Sequence, residues 1–174
     1  HIVRQVLSAL REAHARGLLH RDIKPANIRV FPYIDDPLRV KLMDFGIARD
    51  AGGDGRVTKT GSIVGTPRYM SPEQFTGEEL TPASDIYSVG VVLVEMLAGD
   101  GPLYGNSIGA QLVRLTDDHR FDVPPTGDAR LDFVVHKMTA VSPRDRFRTV
   151  AQVLDALDGV AGPAPADAKQ QRPP

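Results

Sequence analysis

Residues 20–27 read HRDIKPAN, and residues 44–46 read DFG. The first motif places a carboxylate, Asp22, and an amide, Asn27, in one short loop. The second adds the carboxylate of Asp44 two residues before a glycine, which lets the backbone bend sharply. Oxygen atoms from two loops can hold Mg²⁺, while a further carboxylate takes a proton from a hydroxyl group. Together the two motifs indicate the chemistry of phosphoryl transfer.

Composition excludes several other classes of protein. The 174 residues suffice for one domain with a core, and the net charge of −1 gives no case for nucleic acid or an anionic membrane as the main partner. The absence of cysteine excludes disulfides and thiolate metal sites and fits a reducing compartment. No apolar run reaches the roughly 18 residues that span a bilayer, and no signal peptide is visible. Because the chain starts at His1, inside a helical pattern, we interpret it as an excerpt of a longer protein.

The first half of the chain predicts one helix, one hairpin and one long loop. Helical spacing of apolar residues over 1–15 predicts an amphipathic helix. Short alternating runs at 28–30 and 40–42 predict the strands of a β-hairpin, joined by a loop over 32–37. Residues 47–72 hold many Gly, Thr, Ser and Pro with little periodicity, which predicts a long loop of the kind that is usually functional or disordered.

Helices dominate the rest of the predicted fold. Four more helical patterns occur, at residues 82–97, 107–116, 130–140 and 150–157. Thr81 and Thr149 are suitable N-caps for the first and the last of these, and Gly99 ends the first. After Asp158 the composition shifts to Pro, Ala, Gly, Gln and Asp, which predicts a disordered linker over 158–174. The predicted fold class is mainly α with a small β-hairpin.

Several motifs occur in an order that resembles one family. They are HRD with Asn27, DFG, Gly65-Thr66-Pro67, Ser71-Pro72-Glu73, Asp85 and Arg146. This order resembles the eukaryotic-like (Hanks-type) serine/threonine protein kinases, and the wording of the motifs looks most like bacterial members. The resemblance covers residues 1–157 and implies the C-terminal lobe of the protein-kinase-like α+β fold, with the N-terminal lobe missing from the chain.

The resemblance implies a role for each polar residue of the first two motifs. Asp22 is the catalytic base, and Lys24 reaches the γ-phosphate. Asn27, a further catalytic residue, and Asp44 ligate the metal, and with Lys24 and Arg29 they form this lobe's part of the nucleotide site. Arg29 lies where the family usually places an apolar residue beneath the adenine, and its aliphatic stem can pack there.

The resemblance also implies a phosphorylation switch. Arg21 and Arg49 are interpreted as the pocket for a phosphate on the activation loop, since Arg–phosphate contacts can order a loop. Thr58, Thr60 and Ser62 lie on the expected segment, and similarity to bacterial autophosphorylation sites favours Thr58 and Thr60. The alternative is that these are polar loop residues without that role.

Other residues are expected to shape the site. They are His20, Phe45, Thr66, Glu73, Asp85 and Arg146. By resemblance, Thr66 ties the substrate-binding loop to the catalytic loop, Glu73 and Arg146 form a buried ion pair, and Asp85 hydrogen-bonds the backbone of the HRD motif. The remaining histidines, His14 among them, are interpreted as ordinary helix or surface residues.

Cofactors and partners follow from the same resemblance. It implies ATP and Mg²⁺ as cofactors, with Mn²⁺ as an alternative metal, and Ser or Thr hydroxyls of proteins as substrates. The expected partners are the N-terminal lobe of the same chain, with its phosphate loop and strand lysine, and a second copy in a dimer for autophosphorylation; nucleic acid is not expected. The catalytic part is expected in the cytoplasm, and the tail leads either to a membrane anchor or to soluble repeats.

Two other functions remain open at this point. A pseudokinase-like or truncated lobe would act as a non-catalytic interaction module, although the intact acidic, amide and lysine side chains argue against degeneration. A small-molecule phosphotransferase shares an acid and amide loop, but the segment from Gly65 to Glu73 favours a protein substrate. The excerpt alone is expected to have little activity, since half of the nucleotide site is missing.

Overall fold

The computed structural model of the chain describes residues 1–45, 67–99, 121 and 125–159. The described helices and strands are, in chain order, α1 (Ile2–His14), β1 (Ile28–Tyr33), β2 (Asp36–Leu42), α2 (Pro72–Thr76), α3 (Pro82–Ala98), α4 (Ala129–Met138) and α5 (Val150–Asp158). Short 3₁₀ helices lie at Pro25–Asn27, Pro67–Tyr69 and Pro143–Asp145. This architecture confirms the predicted class of mainly α with one hairpin. No helix within these ranges has the length and apolar character needed to cross a bilayer.

Three predicted elements lie wholly or partly outside the described residues. The helix predicted over 107–116 is one of them, and the linker over 158–174 is described for its first two residues alone. The loop predicted over 47–72 is described from residue 67 onward, where it is not a plain loop, because Pro67–Tyr69 forms a 3₁₀ turn.

Helix α3 is the centre of the fold. The backbone N–H of its N-cap, Thr81, donates to the Ser84 hydroxyl at 3.1 Å, and Pro82 occupies the first turn, where its missing N–H costs no helix hydrogen bond. The helix ends at Gly99, whose φ of +67° favours glycine. Every residue from 83 to 94 is buried, and α1 and α4 pack against this helix.

Helix α1 confirms the amphipathic pattern. Its buried residues recur at helical spacing, at Val3, Val6, Leu7, Leu10 and Ala13. This face packs into one core with α3, α5 and β2. At its N-terminal end, Arg4 donates to the backbone oxygen of Leu157 and pairs with Asp158. A cation thereby satisfies one carbonyl group at the C-terminal end of α5.

Gly90 allows α3 and α4 to approach closely. A Cβ atom at this position would lie 2.8 Å from Cγ2 of Thr139 and 2.9 Å from Cβ of Met138. Atoms that close would repel, so any larger side chain here would force the two helices apart. The close packing of α3 against α4 therefore outweighs the low helix propensity of Gly90.

The strands of the hairpin are longer than predicted. Pairing extends to Tyr33 opposite Asp36, so residues 34–35 form the turn. The prediction of a loop over 32–37 was therefore wrong. Pro32 lies at a shift in the register of the strands, which is a place where a strand tolerates a residue without an N–H group.

Candidate active site

The Asp22 carboxylate is the centre of the candidate site. Its Oδ2 atom accepts hydrogen bonds from Lys24 Nζ at 2.9 Å and from Asn27 Nδ2 at 3.0 Å. Asn27 Nδ2 also donates to the backbone oxygen of Asp22 at 2.8 Å. Asn27 is buried, whereas the Asp22 and Lys24 side chains keep 24% and 33% of their surface exposed. These hydrogen bonds therefore fix the position of the Asp22 carboxylate, and its exposed surface leaves it reachable by a substrate.

The hairpin brings the second motif to the same place. Met43, which follows β2, donates its backbone N–H to the backbone oxygen of Asn27 at 2.9 Å. Asp44 comes next, is exposed, and has a φ of +56°, in the left-handed region that Asp tolerates better than most residues. Within the described residues, no hydrogen bond engages the Asp44 carboxylate or the Oδ1 atom of Asn27. Both groups are thus available as oxygen donors.

These two oxygen donors fit a magnesium ion that arrives with a nucleotide. Mg²⁺ usually takes one or two protein oxygens and completes its shell with water and phosphate oxygens. Among the described residues, no cluster of three or more His, Cys, Asp or Glu side chains could hold a metal by itself. The amide of Asn27 and the carboxylate of Asp44 therefore suit a metal that keeps phosphate ligands.

His20 connects the two motifs from inside the fold. Its side chain is buried, Nε2 lies 2.9 Å from the Met43 backbone oxygen, and Nδ1 accepts the Asp22 backbone N–H at 3.3 Å. These contacts assign the ring proton to Nε2. The ring also packs on Phe45, with centroids 4.6 Å apart. Burial lowers the pKa of His20 below its ordinary value of 6.5, outweighing the Met43 carbonyl and the Asp85 and Asp22 charges, which raise it.

We expect His20 to make the protein less stable on acidification. Because the folded-state pKa is below the unfolded value of 6.5, the unfolded chain binds more protons at mildly acidic pH. The stabilisation is complete above the unfolded pKa and is lost as the pH falls through the folded one. Thermal denaturation at pH of about 7.5 and about 5.5 measures the loss, which should be smaller in a His20→Phe variant that cannot titrate. Equal losses in both proteins would contradict this role.

The Asp85 carboxylate holds the backbone of the HRD motif. It accepts the His20 N–H at Oδ2 and the Arg21 N–H at Oδ1, each at 2.8 Å, and it is 2% exposed. His14 Nε2 lies 2.8 Å from the same Oδ2 atom. His14 lies in helix α1, as interpreted, and its side chain has the further role of supporting the carboxylate that fixes the loop. The two partners are 71 positions apart in sequence, and no local pattern indicates the contact.

A buried ion pair anchors α2 to the helical core. Arg146 donates from its two terminal nitrogens to the two carboxylate oxygens of Glu73, at 2.7 and 2.9 Å. Its remaining N–H groups donate to the backbone oxygens of Ala83, Ala140 and Val141. Burial by itself would raise the pKa of Glu73, but the hydrogen bonds and charge of Arg146 hold it below its ordinary value. The pair thus ties three segments of the chain together at one point.

Several predicted site residues lie outside the described part of the chain. They are Arg49, Thr58, Thr60, Ser62 and Thr66. Their roles stay predictions. Arg29 is described: it is exposed on β1, opposite Lys41 in the register. Its place beneath an adenine stays a prediction as well.

Comparison with known proteins identifies the family. The family model described as "Protein kinase domain" matches residues 1–156. The chain belongs to the protein kinase family. This kinase-family chain is 42% identical over 171 residues to the serine/threonine-protein kinase pkn3 of Myxococcus xanthus, covering 88% of the chain and 31% of the relative. It is 38% identical over 173 residues to the serine/threonine-protein kinase PknB of Mycobacterium leprae (strain TN), covering 96% of the chain and 27% of the relative.

A solved structure shows the same fold. The crystal structure of the Mycobacterium tuberculosis PknI kinase domain aligns with a TM-score of 0.61 and 30% identity, covering 92% of this chain and 54% of that one. The prediction of a partial protein-kinase fold is therefore confirmed. The chain spans about half of that kinase domain and less than a third of the two curated relatives.

Proposed function

We propose that the protein to which this chain belongs transfers the γ-phosphoryl group of ATP to Ser or Thr hydroxyls of other proteins. The observation that carries the proposal is the Asp22 carboxylate, held by Lys24 Nζ at 2.9 Å and by Asn27 Nδ2 at 3.0 Å. Asp44 is exposed and comes directly after Met43, whose backbone N–H donates to the Asn27 oxygen. The names of the two curated relatives, both serine/threonine-protein kinases, support the same reaction.

Each side chain has a separate task in this proposal. Asp22 accepts a hydrogen bond and then the proton from the substrate hydroxyl, so that the oxygen becomes the nucleophile. Lys24 places a positive charge beside the negative charge that builds up during transfer. Asn27 and Asp44 would hold Mg²⁺, which when bound neutralises charge on phosphate oxygens. Asn27 also donates to Asp22 and thereby orients the carboxylate.

The proposal also covers regulation of the site and the partners that would complete it. Arg21 and Arg49 would bind a phosphate on Thr58 or Thr60, which would order the activation loop. An N-terminal lobe would complete the nucleotide site, and a dimer would allow one copy to phosphorylate the other. We propose that the linker predicted over 158–174 begins after α5, whose last residue is Asp158, and we place the catalytic part in the cytoplasm.

The test is a phosphorylation assay on the full-length protein. With labelled ATP, Mg²⁺ and a general protein substrate, we expect label on Ser or Thr and none on Tyr. A metal chelator should abolish the transfer, and added Mg²⁺ or Mn²⁺ should restore it, because without a cation between them the Asp44 carboxylate would repel the phosphates of ATP. Nucleotide binding without transfer would favour the non-catalytic interaction module. Label on a small molecule instead of protein would favour a small-molecule phosphotransferase.

A further inference from the structure

The backbone of Arg21 adopts a conformation that needs outside support. Its φ is +64°, in the left-handed region that costs free energy for any residue with a Cβ atom. Two side chains from distant helices contact its peptide groups. Asp85, on α3, accepts the Arg21 N–H at 2.8 Å, and Gln74, on α2, donates to the Arg21 oxygen at 2.8 Å. The turn immediately before Asp22 is therefore held from both sides.

The Gln74 contact acts on the peptide group that joins Arg21 to Asp22. The oxygen of this group accepts from Gln74 Nε2, and its N–H donates to His20 Nδ1 at 3.3 Å. Rotation of this peptide would break both hydrogen bonds. The same rotation would also move the Asp22 carboxylate away from its partners.

The two ends of the Gln74 amide have different partners. Its Oε1 accepts the Ser71 backbone N–H at 3.0 Å and the Ser71 hydroxyl at 3.1 Å, which completes the N-terminal cap of α2. Its Nε2 is the donor to Arg21. An exchange of oxygen and nitrogen would break both contacts, so the network fixes the orientation of the amide.

We propose that Gln74 is a positioning residue for the catalytic loop: by donating to the Arg21 oxygen, it holds the left-handed turn that sets the Asp22 carboxylate. The proposal rests on the proposed function, because it assigns the loop the role of a catalytic base. It makes helix α2 part of the support of the site, alongside Asp85 on α3.

A Gln74→Glu variant separates the two roles of the side chain. Glutamate keeps the length and the oxygen that caps Ser71, and it is a preferred residue at this cap position. It loses the donor to Arg21 and places a carboxylate oxygen against the Arg21 backbone oxygen. We expect the kcat of the full-length protein to fall roughly fivefold, the KM for ATP to change less than about twofold, and the melting temperature to stay within about 2 °C.

Ser71→Ala is the matched control. It removes the hydroxyl of the cap and leaves the Gln74 donor in place, so we expect a melting temperature about 2–4 °C lower with kcat within about twofold of the wild type. If Ser71→Ala lowered kcat as much as Gln74→Glu does, the effect would come from the stability of α2, and positioning would be refuted. Wild-type kcat in Gln74→Glu would refute it as well.

Hydrogen exchange gives a readout that does not need activity. Loss of the Gln74 donor should speed exchange of the Asp22 backbone N–H, whose peptide group it holds, and leave the amides of helix α3 unchanged. Unchanged exchange at Asp22 would overturn the inference. A wild-type protein without phosphoryl transfer, but with faster Asp22 exchange in Gln74→Glu, would refute the proposed function and support the structural contact.

Discussion

Asp22→Asn is expected to lower the kcat of protein phosphorylation by about a hundredfold or more, because it removes the proposed base. Asparagine nearly preserves the size of the side chain, and its remaining oxygen can still accept from Lys24 or Asn27. In the wild type, the donor nitrogens of these two residues lie 2.9 and 3.0 Å from Oδ2. What disappears is the negative charge and the ability to take a proton from the substrate hydroxyl. The measurement is the steady-state rate of the full-length protein with ATP, Mg²⁺ and a protein substrate.

The matched control is Asp155→Asn, which makes the same chemical change at an exposed position of α5. We expect wild-type kcat in this control. Asp22→Asn itself should keep its melting temperature within about 2–4 °C of the wild type, since partly exposed ion pairs contribute about 1 kcal/mol at most. An Asp22→Asn protein with near wild-type kcat would contradict the role of Asp22 as a base. A large loss of melting temperature would mean that the variant reports on folding instead.

The helices α1, α3, α4 and α5 and the hairpin were predictable because their signals are local, whereas the five-residue helix α2 was not predicted. In α1 the buried residues recur every three or four positions, and in α3 a Thr-Pro start and a glycine end flank a long apolar run. The bounds of the hairpin were less predictable, because Pro32 was interpreted as loop, whereas a shift in strand register accommodates it. The candidate site residues Asp22, Asn27 and Asp44 were identified from the order of motifs and not from any single motif.

The contacts that support the site could not be predicted in the same way. His14 reaches Asp85 across 71 positions, and Gln74 reaches Arg21 across 53. A His on a helix and a Gln after a Glu have no local feature that marks them as supports. The left-handed φ of Arg21 is equally hidden, since the residue is not glycine and the conformation is imposed by its surroundings.

Arg146→Met is expected to lower the free energy of unfolding by about 3–5 kcal/mol, because it leaves the Glu73 carboxylate buried without its partner. Methionine fills similar space with no donor. Glu73 and Arg146 are each 2% exposed, so water cannot replace the lost contacts. Three backbone oxygens lose a donor as well. Thermal denaturation should show a drop of roughly 10 °C.

A double variant and a pH series separate the unpaired charge from lost packing. Glu73→Leu with Arg146→Met removes both charges and should recover most of the loss, as buried pairs often contribute little net stability.

In the wild type, the lowered pKa of Glu73 gives stability that is present above its ordinary value of 4.5 and is lost as the pH falls through the folded-state pKa. Without Arg146, burial raises that pKa, so protonation relieves the buried charge. The stability difference between the wild type and Arg146→Met should therefore shrink from pH of about 7.5 to about 5. The same difference at both pH values, with no recovery in the double variant, would show that Arg146 acts through its packing and backbone contacts alone.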